Sequence, residues 1–202
     1  MEGLAYEDDR AEVHQLVLGR LDTNVYVLRC RQTGSAALID AADDADLLLS
    51  TCRALGVTQV LETHGHWDHV QAVPALRAAG YPVLIAPADA AMIAGHDGSL
   101  DHASVVEVGA LELHALATPG HTPGSTCLRL AGAPLVFAGD TLFPGGPGAT
   151  GGDPERFATI LDGIEEHLFT LPPDTIVLPG HGPATTIGAE QPHLAEWRTR
   201  GW

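Results

Sequence analysis

The run "THGHWDHV", Thr63 to Val70, places three histidines and an aspartate within six positions. Imidazole and carboxylate are the ligands of borderline divalent metals. In an extended or turning segment, His64, His66 and Asp68 point to one side while His69 points elsewhere. One segment then offers two ligands to one ion (His64 and His66) and two to a second (Asp68 and His69). A single tetrahedral site does not need four groups from six residues. Each ion is still short of ligands, so further His or Asp is expected downstream, at strand ends.

Three candidates meet that demand. "TPGHTPGS" sets His121 between two Pro/Gly pairs, "FAGDTLF" puts Asp140 at the end of an apolar run, and "LPGHGP" puts His181 after another. Glycines beside each let the backbone approach an ion closely. Five histidines and two aspartates satisfy two ions, with one carboxylate bridging and water completing the shells. His14, His96, His102, His114, His167 and His193 lack such settings and read as ordinary polar residues.

The elements around these residues alternate. "EVHQLVLGR", "TNVYVLRC" and "SAALID" read as short strands, and "DDADLLLSTCRALG" as a helix closed by Gly56. "VTQVLET" is a buried strand that delivers the histidine run at its C-terminal end. "VQAVPALRAAG" reads as a helix with Pro74 in its first turn, followed by a strand "YPVLIAP" and a short helix near "ADAAMIA". "SVVEVGALELHALAT" and "TCLRLAGAPLVFAGD" read as hairpins. The glycine-rich "LFPGGPGATGG" reads as a loop, mobile and bordering a substrate entrance. Asp153 then caps a helix with Pro154 at its first position and an apolar stripe of Phe157, Ile160, Leu161, Ile164 and Leu168. "TIVLPGHG" is a last strand. Two similar strand-rich halves predict one α/β (α+β) domain over residues 1–202, with two sheets packed together and helices outside.

Composition narrows the partners. Among 202 residues the formal charge is −16, and all ten basic residues are arginine. Such a surface opposes nucleic acid. No run approaches the roughly 20 apolar residues of a membrane span, and the acidic N-terminus does not look like a secretory signal. A cytoplasmic location with no membrane partner is expected. Cys30, Cys52 and Cys127 form no CxxC and read as buried reduced thiols.

"THGHWDH", "TPGHTPGS", "GDTLF" and "PGHGP", in this order, resemble the metallo-β-lactamase fold superfamily, and most of all its small glyoxalase II-like (hydroxyacylglutathione hydrolase type) hydrolases. The resemblance runs from about Leu21 to about Glu190. It implies a four-layer αββα sandwich of two mixed β-sheets with the metals at one edge. It assigns His64, His66 and His121 to the first metal, Asp68, His69 and His181 to the second, and Asp140 to the bridge. It further implies a small-molecule thioester substrate attacked by a metal-bridging hydroxide that Asp68 helps to orient. Zinc suits this ligand set, as do iron and manganese.

The chain departs from glyoxalase II at two places. With the sequence reaching Trp202, that family's C-terminal helical domain is not expected, and "GATGGD" stands where many relatives carry an Arg-Ser/Thr-Asp-Phe run. With no lysine to meet the carboxylates of glutathione, a less anionic carrier is expected. The resemblance of the ending "TTIGAEQPHLAEWRTRGW" to small members of the family suggests mycothiol. The alternative is an iron persulfide dioxygenase, which holds one iron through two histidines and an aspartate, here His64, His121 and Asp140.

Overall fold

The computed structural model describes residues 3–201. Its first sheet contains, in spatial and chain order, β1 (Gly3–Glu7), β2 (Ala11–Leu18), β3 (Thr23–Cys30), β4 (Ala36–Ile39), β5 (Val57–Leu61), β6 (Val83–Ile85) and β7 (Gly98–Ser99). The first four strands pair antiparallel, and β4 through β7 run parallel. The second sheet comprises β8 (Val105–Val108), β9 (Leu111–Ala117), β10 (Thr126–Leu130) and β11 (Leu135–Gly139). After a two-stranded ribbon, β12 (Leu142–Phe143) with β13 (Gly146–Pro147), it is completed by β14 (Ile176–Pro179) and β15 (Thr185–Thr186). Among the described residues, its one parallel pair is β11 with β14. Both sheets are therefore mixed.

Parallel neighbours need a crossover, and helices supply it. Between β4 and β5 runs α1 (Ala45–Leu55). Asp44 caps it by accepting from the Leu47 amide, and Gly56, in the left-handed region, ends it. The helix turns Leu48 and Cys52 onto the first sheet. The "HWDHV" segment coils into a single turn, α2 (Trp67–Val70), and α3 (Val73–Ala78) follows with Pro74 in its first turn. The single helix expected over 70–80 is thus broken at Gln71 and Ala72, whose amides bond back to Ala42 and Ala41.

Between β11 and β14 runs α4 (Pro154–Gly163), capped by Asp153 through the amides of Glu155 and Arg156. It continues as a π-helical turn to Leu168. All five residues of its expected stripe are buried. The chain then ends in α5 (Ile187–Glu190) and α6 (Leu194–Arg200), where Trp197, only 1% exposed, packs near Phe169.

Three apolar layers result. Val13, Tyr26, Leu28, Ile39, Leu61, Leu113, Leu128 and Phe137 interlock the facing sheets. Leu48, Val73 and Leu76 seal α1 and α3 to the outer face of the first sheet. Phe157, Ile160, Leu161 and Trp197 seal α4 and α6 to the outer face of the second. This is the αββα sandwich expected. Truncating a side chain such as Phe137, fully buried at its centre, costs about 3–5 kcal/mol. No described helix is long and apolar enough to cross a membrane, and all three cysteines are free and buried.

Several elements were not expected, among them the short strands β7 and β15 and the tail helices α5 and α6. β1 adds an antiparallel edge strand ahead of the first predicted one. The glycine-rich loop also contains the β12–β13 ribbon.

A candidate metal centre at the strand ends

The carboxyl ends of several strands open on one edge of the sandwich, where α/β sheets commonly place their ligands. Asp40 follows β4, His64 follows β5, His121 lies between β9 and β10, Asp140 follows β11, and His181 follows β14. All seven predicted donors meet there. Nitrogens of His64, His66 and His121 lie within 4.8 Å of one another, and so do the donor atoms of Asp68, His69 and His181. Asp140 lies between the two sets. Its Oδ2 is 3.3 Å from His121 Nε2 and 3.7 Å from His181 Nε2, while Oδ1 is 3.5 Å from His69 Nε2.

His69 differs from expectation. It does not point away from His64 and Asp68, because the helical turn starting at Trp67 swings it back to the cluster. There its Nε2 is 3.2 Å from His181 Nε2. The six remaining histidines take no part.

The hydrogen bonds decide which nitrogen each imidazole presents. His121 donates from Nδ1 to Ala149 O at 2.7 Å, and His181 from Nδ1 to Leu21 O at 2.9 Å. His69 Nδ1 donates to Asp40 Oδ2 at 2.8 Å. The Thr63 hydroxyl donates to that same oxygen at 2.8 Å and can accept from His64 Nδ1 at 3.1 Å. With the Nδ1 atoms of His64, His69, His121 and His181 occupied outward, Nε2 is the nitrogen that each of these four presents to the cluster, the usual function of a partner behind a metal-binding histidine. Among the described residues, buried His64 Nε2, His121 Nε2 and Asp140 Oδ1 have no hydrogen-bond partner. Orphaned acceptors clustered this closely suit a cation.

The charges agree. Burial, reinforced by neighbouring imidazoles, pushes His64 well below the ordinary histidine value. Burial opposes a charged His69 too, but Asp40 and Asp140 outweigh it and raise His69 well above that value. A hydrogen bond to Asp68 raises His181. Burial alone would raise Asp68, yet His181 and His69 hold it at about 2. Asp140 is likewise lowered against the pull of burial, through His69 first. The carboxylates thus stay ionised at neutral pH.

Glycines permit the close packing. A Cβ on Gly148 would collide with the Asp140 carbonyl, and one on Gly180 with Asp140 Oδ1. This changes the reading of the glycine-rich loop. Gly146, Pro147, Gly148 and Thr150 are buried, Ala149 O holds His121, and Glu190 accepts from the Gly145 amide at 2.9 Å. The middle of the loop is anchored structure, and its exposed positions are Pro144, Gly145, Ala149, Gly151 and Gly152.

Several positioning groups escaped the sequence reading. Asp40, 2% exposed, is one. Its clue was present, since "SAALID" ends an apolar run in aspartate as "FAGD" does. Asn24, on β3, donates to Pro179 O and Gly182 O at 2.9 Å and so holds the His181 loop. Arg156 donates to the carbonyls of Gly120 and His121. Around the centre stand exposed apolar side chains, Leu21, Trp67 and Met92, and the Arg20 guanidinium lies 5.6 Å from the Trp67 ring centre.

Comparison with known proteins agrees with this picture. The family model described as "Metallo-beta-lactamase superfamily" matches residues 18–181. A hydroxyacylglutathione hydrolase of Polaromonas sp. is 43% identical over 164 residues, which cover 77% of this chain and 60% of that protein. The chain therefore spans about three fifths of this relative's length. Among solved structures, ETHE1 from Myxococcus xanthus superposes with a TM-score of 0.80 at 30% identity, covering 93% of this chain and 84% of that one. TTHA1623, solved in a di-iron-bound form, gives 0.72 at 31% identity, covering 88% and 96%.

Proposed function

The chain belongs to the metallo-beta-lactamase superfamily, and we propose from that membership and its donor geometry that it is a dinuclear metal-dependent hydrolase of small acyl thioesters. The observation that carries the reading is the pair of three-residue donor sets flanking one carboxylate. His64, His66 and His121 would hold the first ion, and Asp68, His69 and His181 the second, with Asp140 shared. A mixed nitrogen and oxygen set of this kind suits zinc, and also iron or manganese. Two such ions supply Lewis acidity and lower the pKa of bound water toward about 7.

The chain's own residues do the rest. Asp68 stays ionised and orients the attacking water by accepting its hydrogen bond. Asp40, Thr63, Ala149 and Leu21 hold four imidazoles with Nε2 inward, so that little reorganisation accompanies the reaction. Leu21, Trp67 and Met92 give the acyl group an apolar rim. The thioester class rests on the relative named hydroxyacylglutathione hydrolase. The carrier is the open variable, because the chain has no lysine to pair with the carboxylates of glutathione.

The alternative, a persulfide dioxygenase with one iron on His64, His121 and Asp140, leaves Asp68, His69 and His181 without a task. Their separations of 3.2–3.7 Å favour a second ion. One experiment decides between the two. Metal-analysed protein is given lactoyl thioesters of glutathione, mycothiol and N-acetylcysteamine, and separately a persulfide with oxygen uptake recorded. Thioester hydrolysis with close to two ions per chain is expected. One iron per chain, oxygen uptake and no hydrolysis would overturn the proposal.

A further inference from the structure

Asp89 is a carboxylate outside the donor set, and it is 0% exposed. It sits in the short 3₁₀ turn Pro87–Met92 that follows β6. Its two oxygens face different ways. Oδ2 accepts from the Gly65 amide at 2.9 Å, and Oδ1 accepts from the Gly124 amide at 2.7 Å. Gly65 separates His64 from His66, and Gly124 is three residues past His121. One carboxylate therefore ties together the two segments that carry the first donor set. These segments belong to different sheets, since Gly65 follows β5 and Gly124 precedes β10.

The contact is tight on both sides. A Cβ on Gly124 would lie 2.7 Å from Asp89 Cγ, and one on Gly65 would lie 2.6 Å from Met92 Cβ and 3.2 Å from Asp89 O. Only glycine lets both amides reach the carboxylate, so the two donor loops are held at the spacing that brings the His66 and His121 rings to 4.5 Å. Among the described residues, no arginine or histidine forms an ion pair with Asp89. A buried carboxylate with one amide on each oxygen is short of positive charge. A cation held by His64, His66 and His121, whose backbone segments Asp89 ties together, would supply it.

We propose that Asp89 is a positioning residue for the first metal site: it bolts Gly65 to Gly124, fixes His64, His66 and His121 relative to one another, and offsets the charge of the ion they hold. The proposal rests on the metal-centre reading above but not on the identity of the substrate. Removing groups that orient metal ligands typically costs 10–100-fold in affinity. An asparagine at 89 keeps the shape, yet it loses the charge and turns an NH₂ toward one of the two amides.

The test is a cobalt(II) titration of the metal-free full chain, followed by visible ligand-field absorption, for wild type and Asp89→Asn. His66→Ala and His181→Ala assign the two binding steps. Asp97→Asn, which removes an exposed partner of Arg77, is the control. Asp89→Asn should weaken the first-site step about 10–100-fold and alter its absorption band, with the second-site step within about twofold and the far-ultraviolet dichroism unchanged. Equal weakening of both steps, or of neither, overturns the proposal. Should Asp89→Asn fail to fold, His181→Ala protein still decides: zinc at its remaining site should slow the exchange of the Gly65 and Gly124 amide protons together, and unchanged or unrelated rates refute the bolt. Wild type that binds no cobalt would sink the metal-centre reading itself. Wild type that binds two ions, with Asp89→Asn unaltered, would sink only the role of Asp89.

Discussion

Asp40→Asn changes one atom of a buried carboxylate and should disturb a metal ion that Asp40 does not itself hold. Asp40 takes three donors: the Thr63 amide at 2.7 Å, the Thr63 hydroxyl at 2.8 Å and His69 Nδ1 at 2.8 Å. Asparagine keeps one acceptor, enough for the Thr63 amide. Its NH₂ then faces the hydroxyl and the imidazole as a donor. The hydroxyl can rotate and accept. The imidazole can respond only by moving its proton to Nε2, the atom 3.2 Å from His181 Nε2, and a protonated nitrogen is no ligand. The expected loss is about 10–100-fold in affinity for the second ion, or about 1.4–2.7 kcal/mol. Stability of the metal-free chain should fall as well. Hydrogen bonds to a charged group contribute about 1.5–3 kcal/mol each, and with one of the three retained and two reversed onto a neutral amide the loss is about 2–4 kcal/mol. At about 2–4 °C per kcal/mol for a chain of this size, melting should drop by about 4–16 °C. Competition with a zinc chelator reads the first effect and scanning calorimetry the second. Wild-type zinc affinity in a folded Asp40→Asn protein would refute the tautomer argument.

Four further outcomes are expected. Asp140→Ala should lose both ions or nearly all turnover, whereas His114→Ala and His193→Ala, which lie outside the cluster, should do neither; turnover near wild type in Asp140→Ala would overturn the assignment. Gly148→Ala and Gly180→Ala should each cost about 1–3 kcal/mol from overpacking and most of the metal affinity, measured by melting and elemental analysis, and full occupancy in both would disprove the close-approach argument. In the metal-free chain the raised pKa values of His69 and His181 mean that binding must expel protons, so zinc affinity should rise with pH by up to about tenfold per unit per proton; calorimetry in buffers of different ionisation enthalpy should detect release near pH 7, and its absence would contradict those shifts. The same raised values stabilise the metal-free fold below about pH 6.5 and lose that contribution as pH climbs through them, so its melting temperature should decline toward alkaline pH while that of zinc-loaded protein should not.

The donors were legible because each carries a local mark. Asp140 and His181 follow apolar runs beside glycines, His121 sits between two Pro/Gly pairs, and "HGHWDH" is dense enough to read alone. Among the groups behind them Asp40 carries a similar mark, but Asp89 and Arg156 do not. Asp89 meets Gly65 across 24 residues and Gly124 across 35, and Arg156 meets the His121 segment across about 35. Their partners are backbone atoms, which no side-chain pattern announces. The direction of His69 was misread because "WDHV" forms one helical turn, too short to show a helical period. The glycine-rich loop was only partly legible for a related reason. Glycine serves both hinges and close approaches, and only the position of the Asp140 carbonyl tells which applies to Gly148. The edge strand β1 and the helices of the tail lack the strong alternation or long stripe that made α4 readable.

Trp67 has a use of a different kind. It is one of three tryptophans. Trp197 is buried behind α4, and Trp202 lies outside the described residues. Trp67 is 50% exposed and stands in the chain between two of the donors, His66 and Asp68. Its indole is therefore a fluorophore already mounted at the mouth of the centre. Paramagnetic cobalt would quench its emission while diamagnetic zinc would not, and a bound acyl chain that displaced water from the ring would shift the emission to the blue. Metal loading and substrate arrival can then be followed as two separate optical signals in the unlabelled protein.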